Sequence, residues 1–274
     1  MAAPRPQSIP VFLLVRTTFQ LMWQQKDDVL RLGLVPVLLC FAGFLFGQDD
    51  VHVFVQTMNT VAAGASTGTA APAANPYAMV PAGALGGIVV MFLILLAAYS
   101  IITVNWLRFI LLGPMAAVGV GLNIGWPHWR YMVSFAGLVL VGSLVVTVAS
   151  MPASLLPGIV GRVVVIAIFI GALLAGARLL PYLVSIAVGQ PMRLQESWAI
   201  ARRNAVSLVV AMALAWVPFM IGAFVVNGIL VIVGFAQAAP VATLFITALF
   251  QVAGWTGQAG VLATAYRHMV GIKV

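Results

Sequence analysis

Charge is what this chain has least of. Of its 274 residues only 7% are Asp, Glu, Lys or Arg, and just 5 of those are acidic. A water-soluble globule carries roughly 25% charged residues, so a soluble fold of this length is excluded. Cysteine is almost absent too: the lone Cys40 lies inside an apolar run, which rules out an intrachain disulfide and leaves the redox compartment unread. Between Gln48 and Pro81 there is no Lys or Arg. No Asp or Glu falls within a long apolar run, although proton-coupled carriers commonly keep ionisable residues there. What remains is 63% hydrophobic, the composition of a polytopic membrane protein. The expected fold is all-α, a transmembrane helical bundle.

The sparse charge is unbalanced, 13 Lys and Arg against 5 acids for a net +8. Scattered between apolar runs, these cations read as topology determinants rather than as a nucleic-acid surface. Asp27 and Asp28 precede the first apolar run, where a cleavable signal peptide would carry a basic flank. Residues 1–28 read as a polar tail followed by an interfacial amphipathic helix, with Phe12, Leu13, Phe19, Met22 and Trp23 beside Arg16, Gln20, Gln24 and Lys26. Residues 29–274 form a single transmembrane domain. Six spans are expected, at about 29–47, 83–104, 131–155, 160–177, 205–230 and 241–265. A small, polar, proline-punctuated outer segment, 48–82, is expected to be mobile. The apolar stretch 109–130 is broken by Pro114 and several glycines and reads as an inner interfacial or re-entrant segment, not a seventh span.

This parse puts 12 of the 13 Lys and Arg on one side, with Arg162 alone on the other. By the positive-inside rule both termini are then cytoplasmic. The stretch QPMRLQESWAIARRNAVSLVVAMALAWVP, from Gln190 to Pro218, shows the transition most sharply: its charged, aromatic first half gives way at Ala205 to residues with no further charge until Arg267. Three hairpins share this dress, each entered through an aromatic and basic elbow: Trp23 with Lys26, Trp126 and Trp129 with Arg130, and Trp198 with Arg202 and Arg203. An elbow-plus-hairpin repeat would explain the pattern, as would the general attraction of interfaces for Trp, Tyr and Arg.

Few residues suggest chemistry. GASTG at 64–68 has the G-x-S-x-G spelling but lacks the strand and helix a nucleophile elbow requires. Asp49, Asp50 and His52 make at most a hydrated helix end with weak affinity for a divalent cation. No metal site or cofactor is expected. His128 and His268 both fall on the inner side, where they could meet. Asn105, Asn227, Gln251 and Gln258 are the polar intramembrane residues; the last two share a helix face beside Gly254, Gly257 and Gly260, as close helix packing requires. The arginines at inner helix ends, Arg108, Arg130, Arg178, Arg193, Arg202 and Arg203, are candidates to bind anionic lipid headgroups, with Trp106, Trp129 and Trp198 setting the depth.

The segments VNWLRFILLG, RLLPYLVSIAVGQPMRLQESWAIARRNAVSLVVAMALAWVP and AYRHMVG resemble those of uncharacterised bacterial inner-membrane proteins. Those proteins are similar to the membrane domain fused to some glycerophosphoryl diester phosphodiesterases and to its stand-alone relatives. The resemblance implies a multi-helix inner-membrane fold of unassigned activity, without the separate soluble domain that hydrolyses. The expectation is a non-catalytic inner-membrane protein that contacts anionic phospholipid, as a scaffold or assembly factor, with a membrane-protein partner or a second copy as its protein contact. The alternative is a transporter or flippase for a small or lipidic substrate; an intramembrane hydrolase ranks third, for want of convergent His, Ser, Asp or Glu.

Overall fold

The computed structural model describes residues 10–67, 80–117, 124–153, 156 and 158–270. Every regular element among them is helical: α1 Val11–Gln24, α2 Lys26–Thr67, α3 Ala82–Leu112, α4 Trp126–Ala153, α5 Gly158–Ala187, α6 Leu194–Ala201, α7 Ala205–Ile232, α8 Phe235–Ala238 and α9 Pro240–Val270. A single 3₁₀ turn, Pro114–Ala117, follows α3. Among the described residues six helices, α2, α3, α4, α5, α7 and α9, are long and apolar enough to cross a membrane. The chain is thus a polytopic helical bundle of three antiparallel hairpins, α2/α3, α4/α5 and α7/α9.

Small residues let the hairpin partners approach. On α2, Gly43 and Gly47 stand one turn apart; a Cβ on Gly47 would lie 2.5 Å from the Met91 sulfur of α3, and one on Gly43 3.3 Å from Ile94. In the third hairpin Trp216 of α7 lies over Gly254 of α9, where a Cβ would come within 2.4 Å of the indole, and Phe250 of α9 covers Gly222. Lipid gives apolar helices no hydrophobic reason to associate, so such close backbone packing carries the association instead. Gly257 faces Phe219, and Gly260 faces Thr18 of α1, so the expected glycine ridge of α9 is a packing surface for both α7 and α1.

The core gathers at one end. Buried residues run from Leu96 to Ile110 on α3, Ala177 to Ala187 on α5, Ala205 to Ala215 on α7 and Ala248 to Tyr266 on α9, joined by His128 and Tyr131 of α4. Helix α1 sinks Leu14 and Thr18 into the same region, both at most 1% exposed, while Phe12 and Trp23 face outward. Of the eleven Lys and Arg among the described residues, only Arg162 lies at the opposite end. Away from this basic end the α4/α5 hairpin stands apart: none of residues 132–152 of α4 or 162–176 of α5 is buried.

Two expectations change. The outer segment expected from residue 48 is helical through Thr67, because no proline interrupts 48–67 and Asp50 seats against Gly87 of α3; residues 68–79 lie outside those described. The inner segment 109–130 is divided: Phe109–Leu112 completes α3, the 3₁₀ turn follows, and α4 already starts at Trp126, so the expected third span begins five residues early. Residues 118–123 lie outside the described set. The expected fourth span likewise extends to Ala187, past Pro181.

Candidate functional site

The basic end is built around the α5–α6 junction. Pro181 has no N–H to give and its ring crowds the preceding turn of α5. At the neighbouring rung a side chain from α6 enters the helix ladder: the Ser197 hydroxyl donates to the Arg178 carbonyl at 2.8 Å and accepts the Tyr182 N–H at 3.0 Å. Insertion of this kind is a recognised cause of helix kinks, and here it ties α6 to α5. Helix α5 then stops in a Schellman motif: Gly189 takes φ +81°, its N–H reaches the Ile186 carbonyl, and the Gln190 N–H reaches Ser185. The Ser185 hydroxyl accepts the Met192 N–H at 3.0 Å, and Glu196 accepts the Arg193 N–H at 3.2 Å as helix α6 starts. This folded-back turn lays Trp198 against Arg178, whose guanidinium carbon is 4.7 Å from the ring centroid.

The arginines fall into three kinds. Arg267 of α9 donates to the Ile110 carbonyl in the last turn of α3, and Arg108 of α3 donates to the Ala187 carbonyl that ends α5, at 3.4 Å, and to Ala116 at 3.3 Å. Cations at helix C-termini satisfy orphan carbonyls and oppose the helix dipole, so these two clamp α9 to α3 and α3 to α5. Arg130, Arg193, Arg202 and Arg203 are exposed. Arg178 is half-buried, and its Nε is sealed from solvent with no hydrogen-bond partner.

The tryptophans also divide. Trp126, Trp129 and Trp198 are 71%, 53% and 39% exposed, as anchors at an interface would be. Trp106 corrects the expectation: it is fully buried and stacks on Phe109 at 5.2 Å between centroids, so it is core and cannot set depth in lipid.

A buried polar pair joins α3 to α4. The Gly125 N–H donates to His128 Nδ1 at 3.2 Å, which makes Nδ1 an acceptor and leaves the proton of the neutral ring on Nε2; that nitrogen donates to Asn105 Oδ1 at 2.9 Å. His128 occupies the third position of α4 and does what Glu or Gln does in a capping box. It is 6% exposed, whereas His268 is exposed on the last turn of α9. Nearby, the Thr18 hydroxyl and the Trp106 indole N–H are buried without partners among the described residues, and the hydroxyls of Thr103 and Tyr131 are buried beside Tyr99.

The remaining polar residues are dispersed. Asn227 donates to Thr247 at 3.4 Å across the α7/α9 hairpin, and Gln251 and Gln258 are half-buried on α9. Surface hollows of about 400 Å³ on α1 and about 510 Å³ at the α4–α5 turn touch none of Asn105, Asn227, Gln251 or Gln258. Ser66 of GASTG lies in the last turn of α2, a helical setting and not a strand-to-helix elbow. His52 pairs with Gln56 at 2.8 Å, and no cluster of three His, Cys, Asp or Glu able to hold a metal occurs among the described residues.

Sequence reading missed Ser197, the capping role of His128 and the capping role of Arg267. The Pro181 to Ser197 spacing had no reason to signal contact, but Gly125-Trp-Pro-His carries the spacing of a capping box with His in place of Glu. No protein-family model matches this chain, and neither does any curated protein or solved structure.

Proposed function

We propose that this chain is a non-catalytic protein of a bacterial inner membrane that contacts anionic phospholipid through its basic end and serves as a scaffold or assembly factor. On this reading the basic end faces the cytoplasm, with both termini there. One observation carries it: Arg130, Arg193, Arg202 and Arg203 are exposed at the same end of the bundle as the exposed Trp126, Trp129 and Trp198. Juxtamembrane cations of this kind each gain about 1 kcal/mol near an anionic leaflet, and the indoles suit headgroup depth. The resemblance to the phosphodiesterase membrane domain agrees with a membrane-embedded role without its own hydrolysis.

Native mass spectrometry of protein purified in mild detergent tests this. The wild type should retain phosphatidylglycerol in preference to phosphatidylethanolamine, and the Arg130→Ala, Arg193→Ala, Arg202→Ala, Arg203→Ala combination should lose that preference. Equal retention in both proteins would refute the reading.

The buried seam of Asn105, His128, Thr103 and Tyr131 favours a second reading, carriage of a small polar or lipidic substrate. Buried polar groups inside a membrane bundle often mark a substrate path. That reading requires substrate-dependent flux or lipid scrambling in proteoliposomes, which a scaffold would not support.

A further inference from the structure

The arginines of the basic end differ in what their donors already hold. Arg108 and Arg267 give theirs to helix carbonyls, and Arg130, Arg193, Arg202 and Arg203 stand in the open. Arg178 alone is half-buried and stacked, yet has no carbonyl, carboxylate or hydroxyl acceptor for its guanidinium among the described residues. Glu196, the carboxylate of the adjoining α6, is turned to its own helix start.

Its placement is rigid. Ser197 grips the Arg178 carbonyl, and the next residue, Trp198, sets its ring under the guanidinium carbon, 4.7 Å from the ring centroid. Stacking on an indole holds the planar fork in one orientation and leaves its edge available for two parallel hydrogen bonds. Depth agrees as well. Sixteen residue steps separate Arg162 from Arg178, about 24 Å of helix, against a hydrocarbon layer of about 30 Å. With both side chains reaching outward, the Arg178 guanidinium arrives at the phosphate level of the leaflet around the basic end.

We propose that Arg178, oriented by Trp198 and Ser197, is a phosphate-binding site that takes the phosphodiester of a phospholipid from the side. This rests on the lipid-contact reading above and deepens it: the exposed arginines set a preference for anionic headgroups, whereas Arg178 grips the phosphate that all phospholipids share. Lysine cannot replace it, because an ammonium neither stacks as a plane nor offers two parallel donors.

The test compares wild type, Arg178→Lys, Trp198→Leu and the Arg202→Ala, Arg203→Ala pair. Each is purified with equal phosphatidylglycerol and phosphatidylethanolamine, with and without excess inorganic phosphate, and its bound lipid is counted by native mass spectrometry. Thermal melts confirm that each variant is folded. Arg178→Lys should lower retention of both lipids by about tenfold, the loss of one bidentate charged contact, and Trp198→Leu should lower both in the same direction. The paired arginine variant should change only the ratio of the two lipids. Displacement of wild-type lipid by inorganic phosphate would assign the same guanidinium to free phosphate and overturn the lipid assignment; indifference to it supports the lipid. If folded Arg178→Lys retains both lipids as wild type does, the Arg178 site is overturned while the wider lipid reading survives. A wild type that retains no phospholipid removes that wider reading first.

Discussion

Deleting one hydroxyl should loosen the basic end. In Ser197→Ala the Arg178 carbonyl and the Tyr182 N–H lose the oxygen that bridges them at 2.8 and 3.0 Å, in a position 0% exposed to solvent. These two groups are themselves four residues apart, so α5 can partly close its own ladder across the gap. Loss of two bonds with full closure costs about 1 kcal/mol, and loss without closure, leaving a buried donor and acceptor, about 3 kcal/mol. For a chain of this size that range corresponds to a fall in Tm of about 2–5 °C. A thiol-reactive or tryptophan-fluorescence melt in detergent reads it directly. Ser143→Ala is the matched control, since the Ser143 hydroxyl is exposed on α4 and bonds only to carbonyls of its own helix; it should move Tm by less than about 1 °C. If Ser197→Ala melts together with Ser143→Ala, the hydroxyl does not join α6 to α5, and the orientation of Trp198 over Arg178 needs another cause.

Further outcomes follow from the same contacts. His128→Gln keeps both an acceptor for Gly125 and a donor for Asn105 and should melt near wild type, whereas His128→Leu strands both partners and should cost about 1–3 kcal/mol in the same melt. Gly254→Ala drives a methyl to within 2.4 Å of the Trp216 ring and should destabilise by about 1–3 kcal/mol, while Gly137→Ala, which meets nothing within 4 Å, should be neutral or stabilising by up to about 1 kcal/mol. Arg267→Ala uncaps the Ile110 carbonyl at the end of α3 and should lower Tm, with Arg267→Lys recovering part of the loss; equal melts for wild type and Arg267→Ala would show the cap to be idle.

The sequence made the six long helices legible because hydrocarbon imposes one coarse rule, an apolar run of sufficient length, and each run is written contiguously. The gathering of cations at one end of the bundle was legible for the same reason: Arg108, Arg130, Arg178 and Arg267 each stand at the end of such a run. Partnership was not. Trp106 and Trp129 look alike in sequence, each preceded by a polar residue and within two positions of an arginine, but one is sealed by Phe109 and the Gly260 face of α9 and the other faces out. Arg108 and Arg202 likewise share a setting in the chain, and only the neighbouring end of α5 makes the first a helix cap. The continuation of α2 to Thr67 was obscured because small polar residues lower apolar periodicity without breaking a helix; after Pro36, which α2 accommodates, the next proline is Pro72. Ser197 could not be recognised because its partners, Arg178 and Tyr182, lie on the other side of a turn.

The central claim is that six crossings leave the basic end in the cytoplasm, and site-directed cysteine labelling tests it most directly. The native thiol of Cys40 is buried and should stay silent. Gln195→Cys, exposed on α6 at the basic end, and Asn59→Cys, exposed on α2 at the opposite end, report the two faces. With a membrane-impermeant maleimide applied to spheroplasts, Asn59→Cys should label at once and Gln195→Cys only after permeabilisation. Labelling of Gln195→Cys in intact spheroplasts would contradict the account.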